Sequence, residues 1–338
     1  MSTGWSDLKR QLAEQEMHGR TDVSRLDLRD VLHRSERDIF DYFAEEVFSR
    51  ESEETRSFLM RLSMLESLQL DLCSSLFPDL RCSAALPELA QKNVFLTVVG
   101  DGQSSEEYRF HPLFREFLLR RLRAEVGQAR LEEERNRIAD HLLENKKWEM
   151  ALPYLLDARN FDRAASVIAE TGSQWIAAGA FTSLGLFADK VPDANLEKFP
   201  RSLLHKAEIA RLQGETEKSS GVLHTAVKLL HDARDKTGEA EALHSLAILA
   251  RRRGRRVEAF ELLDRAESLV SANSETYLKC ANTRGLCLIV QGSWAEAEQQ
   301  FRIALELAEK LSNEPYIRMV THNLALAPGF RGDFGEAL

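Results

Sequence analysis

Proline and glycine are scarce in this 338-residue sequence, at 8 and 17 residues respectively. All-β proteins use many such turn residues, so their scarcity favours long helices. Long apolar runs are also missing, because the longest uncharged stretch, residues 171–188, is interrupted by glycine, serine, threonine and glutamine. A membrane span needs about 20 mostly apolar residues. The sequence therefore predicts no span, and its N-terminal segment MSTGWSDLKRQLAEQ lacks the apolar core of a signal peptide.

Cysteine and basic charge are limited as well. The four cysteines include no C-x-x-C pair, which is typical of a reduced, cytoplasmic protein without a structural metal site. With 45 basic and 54 acidic residues the formal charge is −9, which argues against a chain that mainly coats nucleic acid. The sequence has no G-x-x-x-x-G-K-[ST] loop and no Ser/His/Asp or paired-carboxylate motif. We therefore expect no enzyme activity, catalytic residue or metal site.

The C-terminal half contains an internal repeat marked by glycine. Gly214, Gly254, Gly292 and Gly332 recur along the chain at nearly equal intervals. Because the left-handed conformation is inexpensive only for glycine, each is predicted to end the first helix of a helical hairpin. Small or apolar residues recur at fixed offsets that trace one helix face: Ala207, Ala247, Gly285 and Ala325; Ser219, Ala259, Ala297 and Ala337; Leu223, Leu263 and Phe301; Ala226, Ala266 and Ala304; Leu229, Leu269 and Leu307.

The third of these repeats resembles the tetratricopeptide family. The run from Gly285 through Gly292-Ser293-Trp294-Ala295-Glu296-Ala297 to Phe301 and Ala304 follows that family's small–Gly–Ala–aromatic–Ala spacing. The period of about 40 exceeds the usual 34 and the late proline is missing, so a different solenoid of helical pairs is the alternative. We expect a right-handed α-solenoid of tetratricopeptide-like hairpins, with helices at 200–213, 216–231, 236–253, 255–270, 274–291, 293–311 and 314–331.

The sequence after Gly332 reads as the first turns of another helix. Without that helix, the apolar face of 314–331 lacks its partner. The sequence thus predicts a fragment of a longer protein, with self-association through the exposed last repeat. Weaker aromatic–acid–x–Ala starts at residues 148–151 and 161–164 predict earlier helices at 129–145, 147–157, 160–171 and 180–190.

The N-terminal part combines helices with a single β-hairpin signal. Residues 36–64 read as two amphipathic helices, followed by shorter helices at 70–77 and 84–92. The β-branched run 93–99, a turn-rich segment and the alternating run 107–110 predict the hairpin. His111-Pro112 then leads into a helix at 113–123, with proline in its first turn. Helices, a hairpin wing and a closing helix predict a winged-helix domain, so the fold class is mostly α.

Motifs of this part resemble the MalT-type transcription regulators, which are LuxR-family proteins of the signal-transduction ATPase (STAND) class. The matching motifs are Gly4-Trp5, Asp41-Tyr42-Phe43-Ala44-Glu45-Glu46-Val47-Phe48, Phe58-Leu59-x-x-Leu62-Ser63-x-Leu65, Asn93-Val94-Phe95-Leu96 and Tyr108-Arg109-Phe110-His111-Pro112-Leu113-Phe114-Arg115-Glu116-Phe117-Leu118. In that family a nucleotide-binding ATPase precedes the winged helix, and a superhelical sensor and a DNA-binding output domain follow it. The resemblance therefore implies ATP or ADP for the parent protein, although no cofactor is expected in this chain.

The resemblance also implies a domain order. Residues 1–35 would be a helical linker from the ATPase module, 36–127 the winged helix and 128–200 an irregular helical connector with the first hairpins. Residues 201–338 would be the tetratricopeptide-like repeats, whose period is defined by the four glycines. The implied partners are a small-molecule inducer or regulatory protein at the repeats and the nucleotide-binding domain of the same parent chain. No membrane is expected, and DNA would be bound only by a domain absent from this sequence.

Few residues stand out as candidate site residues. His111 lies at a strand–helix junction, and the resemblance implies that it contacts the ADP phosphates; the alternative is a junction histidine with local hydrogen bonds. The cluster Arg251-Arg252-Arg253-Gly254-Arg255-Arg256 reads mainly as a solvated turn near a helix C-terminus. Arg251, Arg252, Arg255 and Lys279 are the predicted ligand or partner surface of the repeats.

Taken together, the sequence predicts a regulatory and sensor segment of a signal-responsive transcription regulator. The repeats would bind the inducer, and the winged helix would control the ATPase. A free-standing tetratricopeptide-repeat scaffold for protein–protein interaction is the alternative, which rests on the repeats alone. The arginines of the 113–123 helix leave a DNA-reading winged helix open, although the resemblance implies an internal regulatory joint.

Overall fold

The computed structural model describes residues 40–92, 95–99 and 107–331, with side chains through residue 325. The predicted linker 1–35, the tip of the hairpin and the turn at Gly332 lie outside these residues. The chain divides into two compact units, residues 1–145 and 146–338. No helix of the described ranges is long and apolar enough to cross a membrane.

Over residues 40–92, 95–99 and 107–145, the first unit consists of five helices and a small sheet. Its elements are α1 (40–50), α2 (Glu53–Leu62), β1 (Leu68–Gln69), α3 (Leu70–Leu76), α4 (Cys82–Gln91), β2 (Leu96–Val99), β3 (Glu107–Phe110) and α5 (Pro112–Glu144). Ser52 caps α2 by accepting the Thr55 N–H at 3.1 Å, and Glu53 and Glu54 stabilise the positive end of the helix dipole. These elements confirm the predicted winged helix.

The sheet has three antiparallel strands in the order β1–β3–β2. Leu96 pairs with Phe110 in the predicted hairpin, and Leu68 pairs with Tyr108 on the other side of β3. Strand β1 is absent from the sequence prediction because two residues carry no periodic pattern. Tyr108 is buried at the centre of the sheet, so β1 closes the core from the side opposite the hairpin.

Helix α5 joins two helices that the sequence predicts separately, at 113–123 and 129–145. The backbone at Gly127 has φ +79° and ψ +166°, which interrupts the helix there. Such a backbone conformation is readily adopted only by glycine. The predicted break is therefore present, but it is a single residue, and the helix continues on both sides.

The second unit is all-helical over the residues the structure describes. Its helices are α6 (Trp148–Asp157), α7 (Phe161–Ala177), α8 (Phe181–Ala188), α9 (Asp193–Leu196), α10 (Pro200–Leu212), α11 (Thr216–Asp232), α12 (Lys236–Arg252), α13 (Arg256–Leu269), α14 (Glu275–Gln291), α15 (Trp294–Lys310) and α16 (Glu314–Arg331). The predicted hairpins from residue 200 onward are confirmed, with ends within two residues. Helix α7 extends six residues beyond its prediction, and the short α9 lies between the predicted helices 180–190 and 200–213.

The repeat glycines have the predicted backbone conformation. Gly214, Gly254 and Gly292 have φ values of +84°, +73° and +87° and end α10, α12 and α14. The small residue seven positions before each of these glycines is explained by helix packing. A Cβ on Gly285 would lie 2.6 Å from the Phe301 ring, so glycine there lets this aromatic residue of α15 pack against α14.

The first helices of the hairpins, α10, α12, α14 and α16, form the inner layer of the array. Each of them contacts the next first helix, whereas contacts between successive second helices are sparse. The array therefore curves toward the first helices. Helix α12 is packed against neighbouring helices on several sides, so residues on all its faces are buried, including Glu239, His244 and Ser245. In contrast, α13 buries only Ala259, Leu263 and Ala266. Apart from Ser219 on α11, the buried polar residues of the described repeats therefore lie on the inner layer.

Candidate functional site

The arginines of α5 that a DNA-reading winged helix would present are used inside the domain. The Arg115 guanidinium donates from Nε to the backbone oxygens of Ser63, at 2.9 Å, and Leu65, at 3.1 Å. These carbonyls follow the C-terminal end of α2, where the helix leaves carbonyl groups without intrahelical partners. Arg115 therefore fixes α5 to the end of α2 and is not available to a nucleic acid.

Two further arginines of α5 pair with α1. Arg120 lies 2.6 Å from Asp41, and Arg121 forms an ion pair with Glu45. Among the residues that the structure describes, Arg123 has no such partner, and its side chain is exposed. Three of the four arginines in the first half of α5, before Gly127, thus hold helices of this domain together, and the regulatory joint that the resemblance implies stays a prediction.

His111 occupies the N-cap of α5, directly after β3. Its backbone N–H donates to the Phe95 carbonyl at 2.8 Å, and its ring stacks on Phe40 with centroids 5.2 Å apart. Phe95 itself adopts φ +48°, an uncommon conformation for a bulky residue, and its ring packs 4.9 Å from Phe114. Aromatic packing on both sides thus holds the junction in one conformation.

The imidazole of His111 is exposed and, within the described part of the chain, forms no hydrogen bond. The predicted alternative of local hydrogen bonds therefore applies to its backbone and not to its ring. An exposed imidazole beside the positive end of a long helix dipole suits a phosphate group. The geometry fits the predicted phosphate contact, which stays a prediction.

The basic cluster around Gly254 forms the turn between α12 and α13. Arg253 lies 2.7 Å from Glu217, and Arg256 donates to the Val290 carbonyl at 3.4 Å. Arg252 and Arg255 are exposed, with Arg255 3.5 Å from Glu258 in the next turn. This segment is the solvated turn that the sequence favours. The role of Arg252 and Arg255 as a partner surface stays a prediction.

Lys279 lies in a different place, on the inner layer. It pairs with Glu275 at 2.8 Å on α14. Other ionisable groups of the first helices surround it closely enough for their charges to interact. We call this set, together with Arg251 on the same face of α12 as His244, the inner polar face: Glu208, Arg211, Glu241, His244, Glu275, Lys279 and Tyr316. Arg211 and Tyr316 interact electrostatically although α16 belongs to a hairpin much further along the chain than α10.

A ladder of hydrogen bonds connects successive first helices beneath these charges. The His244 Nε2 and Thr283 Oγ1 atoms are 2.9 Å apart, joining α12 to α14. The Asn323 Nδ2 donates to Asn282 Oδ1 at 2.9 Å, joining α14 to α16. Buried polar side chains are costly unless they are hydrogen-bonded. These pairs therefore fix the alignment of neighbouring hairpins.

Burial and charge shift several pKa values on the inner polar face. Burial lowers the pKa of His244 to about 4, and nearby Lys279 adds to the effect, so the histidine is neutral at pH 7. Burial raises the pKa of Glu241. Burial also disfavours the Glu208 carboxylate, but the two-pronged pairing with Arg211 outweighs it and holds the pKa of Glu208 below its usual value.

Two charged groups of the inner polar face make no direct ion pair with a described residue. The charges of Lys279 and Arg201 nevertheless act on the Glu241 carboxylate and lower its pKa against the effect of burial, and the buried Nε of Arg251 has no hydrogen-bond partner among the described residues. Arg251 lies seven residues after His244, which is close to two helical turns, so both occupy one face of α12. The remaining charges pair locally, Glu208 with Arg211 and Glu275 with Lys279.

The sequence prediction includes Arg251 and Lys279 but misses Glu208, Arg211, Glu241, His244, Glu275 and Tyr316. A signal for part of the face exists in the repeat alignment. Nine and ten residues before Gly254 stand Ser245 and His244, and the same positions before Gly292 are Thr283 and Asn282. Polar residues repeated on the face that contacts neighbouring hairpins indicate an inner polar layer. The described residues contain no group of three side chains suited to hold a metal ion.

Comparison with known proteins identifies similar sequences. The family model of the MalT winged helix domain matches residues 44–130. The HTH-type transcriptional regulator MalT of Vibrio cholerae is 27% identical over 225 residues, which cover 67% of this chain and 24% of that protein. MalT of Vibrio parahaemolyticus is 25% identical over 210 residues, or 62% of this chain and 23% of that protein. The chain thus spans about a quarter of the length of these relatives.

A solved structure shares the fold. A signal transduction ATPase with numerous domains and a tetratricopeptide repeat sensor, from Pyrococcus horikoshii, aligns with 98% of this chain and 51% of its own length. The TM-score is 0.63 at 16% sequence identity. The predicted resemblance to MalT-type regulators, with a winged helix followed by tetratricopeptide-like repeats, is therefore confirmed.

Proposed function

We propose that this chain is the regulatory joint and sensor segment of a MalT-like transcription regulator. The observation that carries the proposal is the match of residues 44–130 to the MalT winged helix domain, directly followed by helical repeats whose inner layer contains charged groups. The relatives are named transcriptional regulators. In this proposal the chain acts in the cytoplasm, is not itself an enzyme, and binds neither DNA nor membrane.

The winged helix transmits the signal to a nucleotide-binding domain of the same parent protein. Helix α5 is held against α1 and α2 by Arg115, Arg120 and Arg121, so in this proposal the domain moves as one rigid body. Its exposed His111 contacts the phosphates of ADP bound by that ATPase and favours the inactive state. An inducer or regulatory protein at the repeats then shifts the population toward the active state.

The role of His111 is tested in the parent protein by measuring the ADP that it retains after purification. His111→Ala removes a charge-assisted contact worth about 1.5–3 kcal/mol, so we expect at least tenfold less ADP and faster exchange for ATP. His141→Ala is the matched control, because His141 is a half-buried histidine of the same unit that hydrogen-bonds with Ser75 and Asn145. Equal ADP retention in both variants would contradict the role of His111.

The role of the repeats is tested by transcription from a reporter gene driven by the intact regulator. Glu241→Gln on the inner polar face should abolish the response to the natural signal, whereas Glu261→Gln on the exposed side of α13 should leave it intact. A normal response in Glu241→Gln would remove the inner polar face from the sensor. A free-standing repeat scaffold would instead require that no nucleotide-binding or DNA-binding segment accompanies these repeats in the gene.

A further inference from the structure

The winged helix contains two cysteines whose side chains are in direct contact. Cys73 lies in α3 and Cys82 is the first residue of α4, and a hydrogen bond joins the two thiols. Only 0% and 2% of their surfaces are exposed. The described residues provide no group of three side chains suited to a metal ion, so this pair lacks the further ligands of a zinc site. Two adjacent thiols are instead the arrangement from which a disulfide forms.

The two thiols differ in acidity. The hydrogen bond that the Cys73 thiol donates lowers the pKa of Cys82, and the charge of Arg61 acts in the same direction against burial and the charge of Asp79. Cys82 also lies at the positive end of the α4 dipole, which stabilises a thiolate. The same hydrogen bond and burial raise the pKa of Cys73. Because the thiolate is the nucleophile, Cys82 is the attacking group and Cys73 is the resolving thiol.

The other two cysteines of the chain provide an internal comparison. Cys280 and Cys287 are seven residues apart on α14, or about 10 Å along its axis, whereas a disulfide joins Cα atoms that are about 4.4–6.8 Å apart. Both are buried, and burial raises the pKa of Cys280 to about 12 and also raises that of Cys287. The two thiols of α14 are therefore too far apart to pair and too weakly acidic to react readily.

We propose that Cys73 and Cys82 form a dithiol site that a hydroperoxide oxidises to an intramolecular disulfide. The Cys82 thiolate attacks one peroxide oxygen and breaks the O–O bond, which leaves a sulfenic acid on Cys82. The other peroxide oxygen takes up the proton of Cys82 and departs as water or an alcohol. The Cys73 sulfur then attacks the Cys82 sulfur, and the sulfenic oxygen leaves as water with the Cys73 proton. The two thiols lose two electrons, and the peroxide gains them.

The burial of the pair favours a small oxidant. The neighbours of Cys82 in the sequence, Arg81 and Ser83, are exposed, so the Cys82 thiol lies directly beneath the surface. Hydrogen peroxide is little larger than a water molecule, whereas a bulky disulfide such as oxidised glutathione would have to displace this segment. Disulfides of cytoplasmic proteins are usually transient and redox-sensing, which is the role that a reversible Cys73–Cys82 bond fits.

The segment between the two cysteines connects several parts of the winged helix. The Phe77 ring lies between two guanidinium groups, 5.2 Å from that of Arg61 and 5.3 Å from that of Arg137. Arg61 of α2 also donates to Asp79 at 3.1 Å, and Arg137 of α5 donates to a backbone carbonyl of α3 at 2.8 Å. Both α2 and the second half of α5 therefore pack on this segment. A disulfide that closes residues 73–82 into a ring restricts its opening, so oxidation should stabilise this packing.

The test is peptide mapping of the full 338-residue chain after treatment with hydrogen peroxide. Trypsin cleaves after Arg81 and thereby places Cys73 and Cys82 in separate peptides, 62–81 and 82–92, which only a disulfide holds together. After alkylation of the free thiols in denaturant, mass spectrometry should detect these two peptides linked, and dithiothreitol should release them. The two cysteines of α14 should form no such link. Recovery of both winged-helix cysteines as alkylated thiols, or their oxidation without a link, would overturn the proposal.

Single variants test the order of the two steps. In Cys73→Ala the oxidation should stop at the Cys82 sulfenic acid, which dimedone traps. In Cys82→Ala the remaining thiol of Cys73 should react about tenfold more slowly or less. Cys280→Ala is the matched control, because it removes a buried cysteine elsewhere and should form the disulfide as the unmodified chain does. Equal yields of trapped sulfenic acid in Cys73→Ala and Cys82→Ala would contradict the role of Cys82 as the attacking thiol.

Hydrogen exchange of the unmodified chain measures the effect of oxidation on the domain. The amides of residues 70–92 should exchange about tenfold more slowly, or slower still, in the oxidised chain than in the reduced chain, because the disulfide limits local opening. Faster exchange after oxidation would contradict the stabilising effect. If a cysteine variant does not fold, the peptide map of the unmodified chain still decides whether the disulfide forms. The oxidation of this pair is independent of the proposed sensor role of the repeats.

Discussion

The two units of this chain use charged side chains in opposite ways. In the winged helix, the arginines of α5 are tied to backbone carbonyls of the α2 end and to carboxylates of α1. In the repeats, Glu241 interacts with Lys279 and Arg201 only through their charges, and the buried Nε of Arg251 has no hydrogen-bond partner among the described residues. Charges that are paired directly stabilise the packing of the helices, whereas charges without a direct contact do so less. In the proposed function the first unit is accordingly the joint and the second the sensor.

Apolar packing is what the two units share, and its loss should have the largest effect. Phe301 is fully buried against Gly285, so Phe301→Ala should lower the free energy of unfolding of the repeats by about 3–5 kcal/mol. Urea denaturation followed by circular dichroism measures this. Leu311→Ala, at an exposed position after the same helix, should cost less than about 0.5 kcal/mol. Similar losses in both variants would show that the repeat core does not depend on this aromatic contact.

The second-largest effect should come from acid, which should lower the stability of the repeats through two buried histidines. Burial lowers the pKa of both His205 and His244 to about 4 in the folded repeats, against about 6.5 in the unfolded chain. Between these values the unfolded state binds more protons, so the free energy of unfolding falls as the pH drops from about 6.5 toward 4. Each histidine contributes on the order of 3 kcal/mol to this loss. Above pH 6.5 the stabilisation is complete.

Burial also raises the pKa of Glu241 and Glu267, and these two groups should increase the stability as the pH falls. A variant is therefore needed to isolate the contribution of the histidines. His244→Gln can still contact Thr283 but does not titrate. Urea unfolding at pH 7.0 and 5.0 should therefore show a smaller pH dependence for His244→Gln than for the unmodified chain. An unchanged pH dependence would mean that His244 is not buried as a neutral ring.

A smaller effect is expected at the joint. Arg115→Ala leaves the carbonyls of Ser63 and Leu65 without their donor and should lower the stability of the winged helix by about 1.5–3 kcal/mol. Arg123→Ala, on an exposed site of the same helix, should change it by less than about 0.5 kcal/mol. Hydrogen exchange of the amides of residues 40–145, measured in the full chain at increasing temperature, distinguishes the two variants. Equal protection in both variants would refute the joint role of Arg115.

The smallest effect should come from the exposed ion pair between α1 and α5. Arg121 and Glu45 are each about half exposed, and pairs of this kind are typically worth about 0.2–1 kcal/mol. The double-mutant cycle of Arg121→Ala and Glu45→Ala should yield a coupling in this range, and it should decrease in high salt. A coupling above about 2 kcal/mol, beyond the range typical of exposed pairs, would indicate that this pair, and not Arg115, is the main link of the joint.

The helical hairpins were predictable from the sequence because their signal is local and repeated. A glycine at nearly constant spacing and small residues at fixed offsets place the ends of α10 to α16 within two residues. Strand β1 was not predictable, because two residues become a strand only where Tyr108 and Glu107 are already present as partners. His111 could be singled out by its motif, but its stacking on Phe40 could not.

The sequence alone determined the class of the fold, the hairpin boundaries, the left-handed glycines and the resemblance to MalT-type regulators, because each depends on residues close in the chain. Tertiary structure decided which charges are satisfied. Arg115 and Arg251 look alike in the sequence, yet one reaches two carbonyls and the other has a buried nitrogen without an acceptor. That difference depends on which distant atoms lie nearby, and only the packing of helices brings those atoms together.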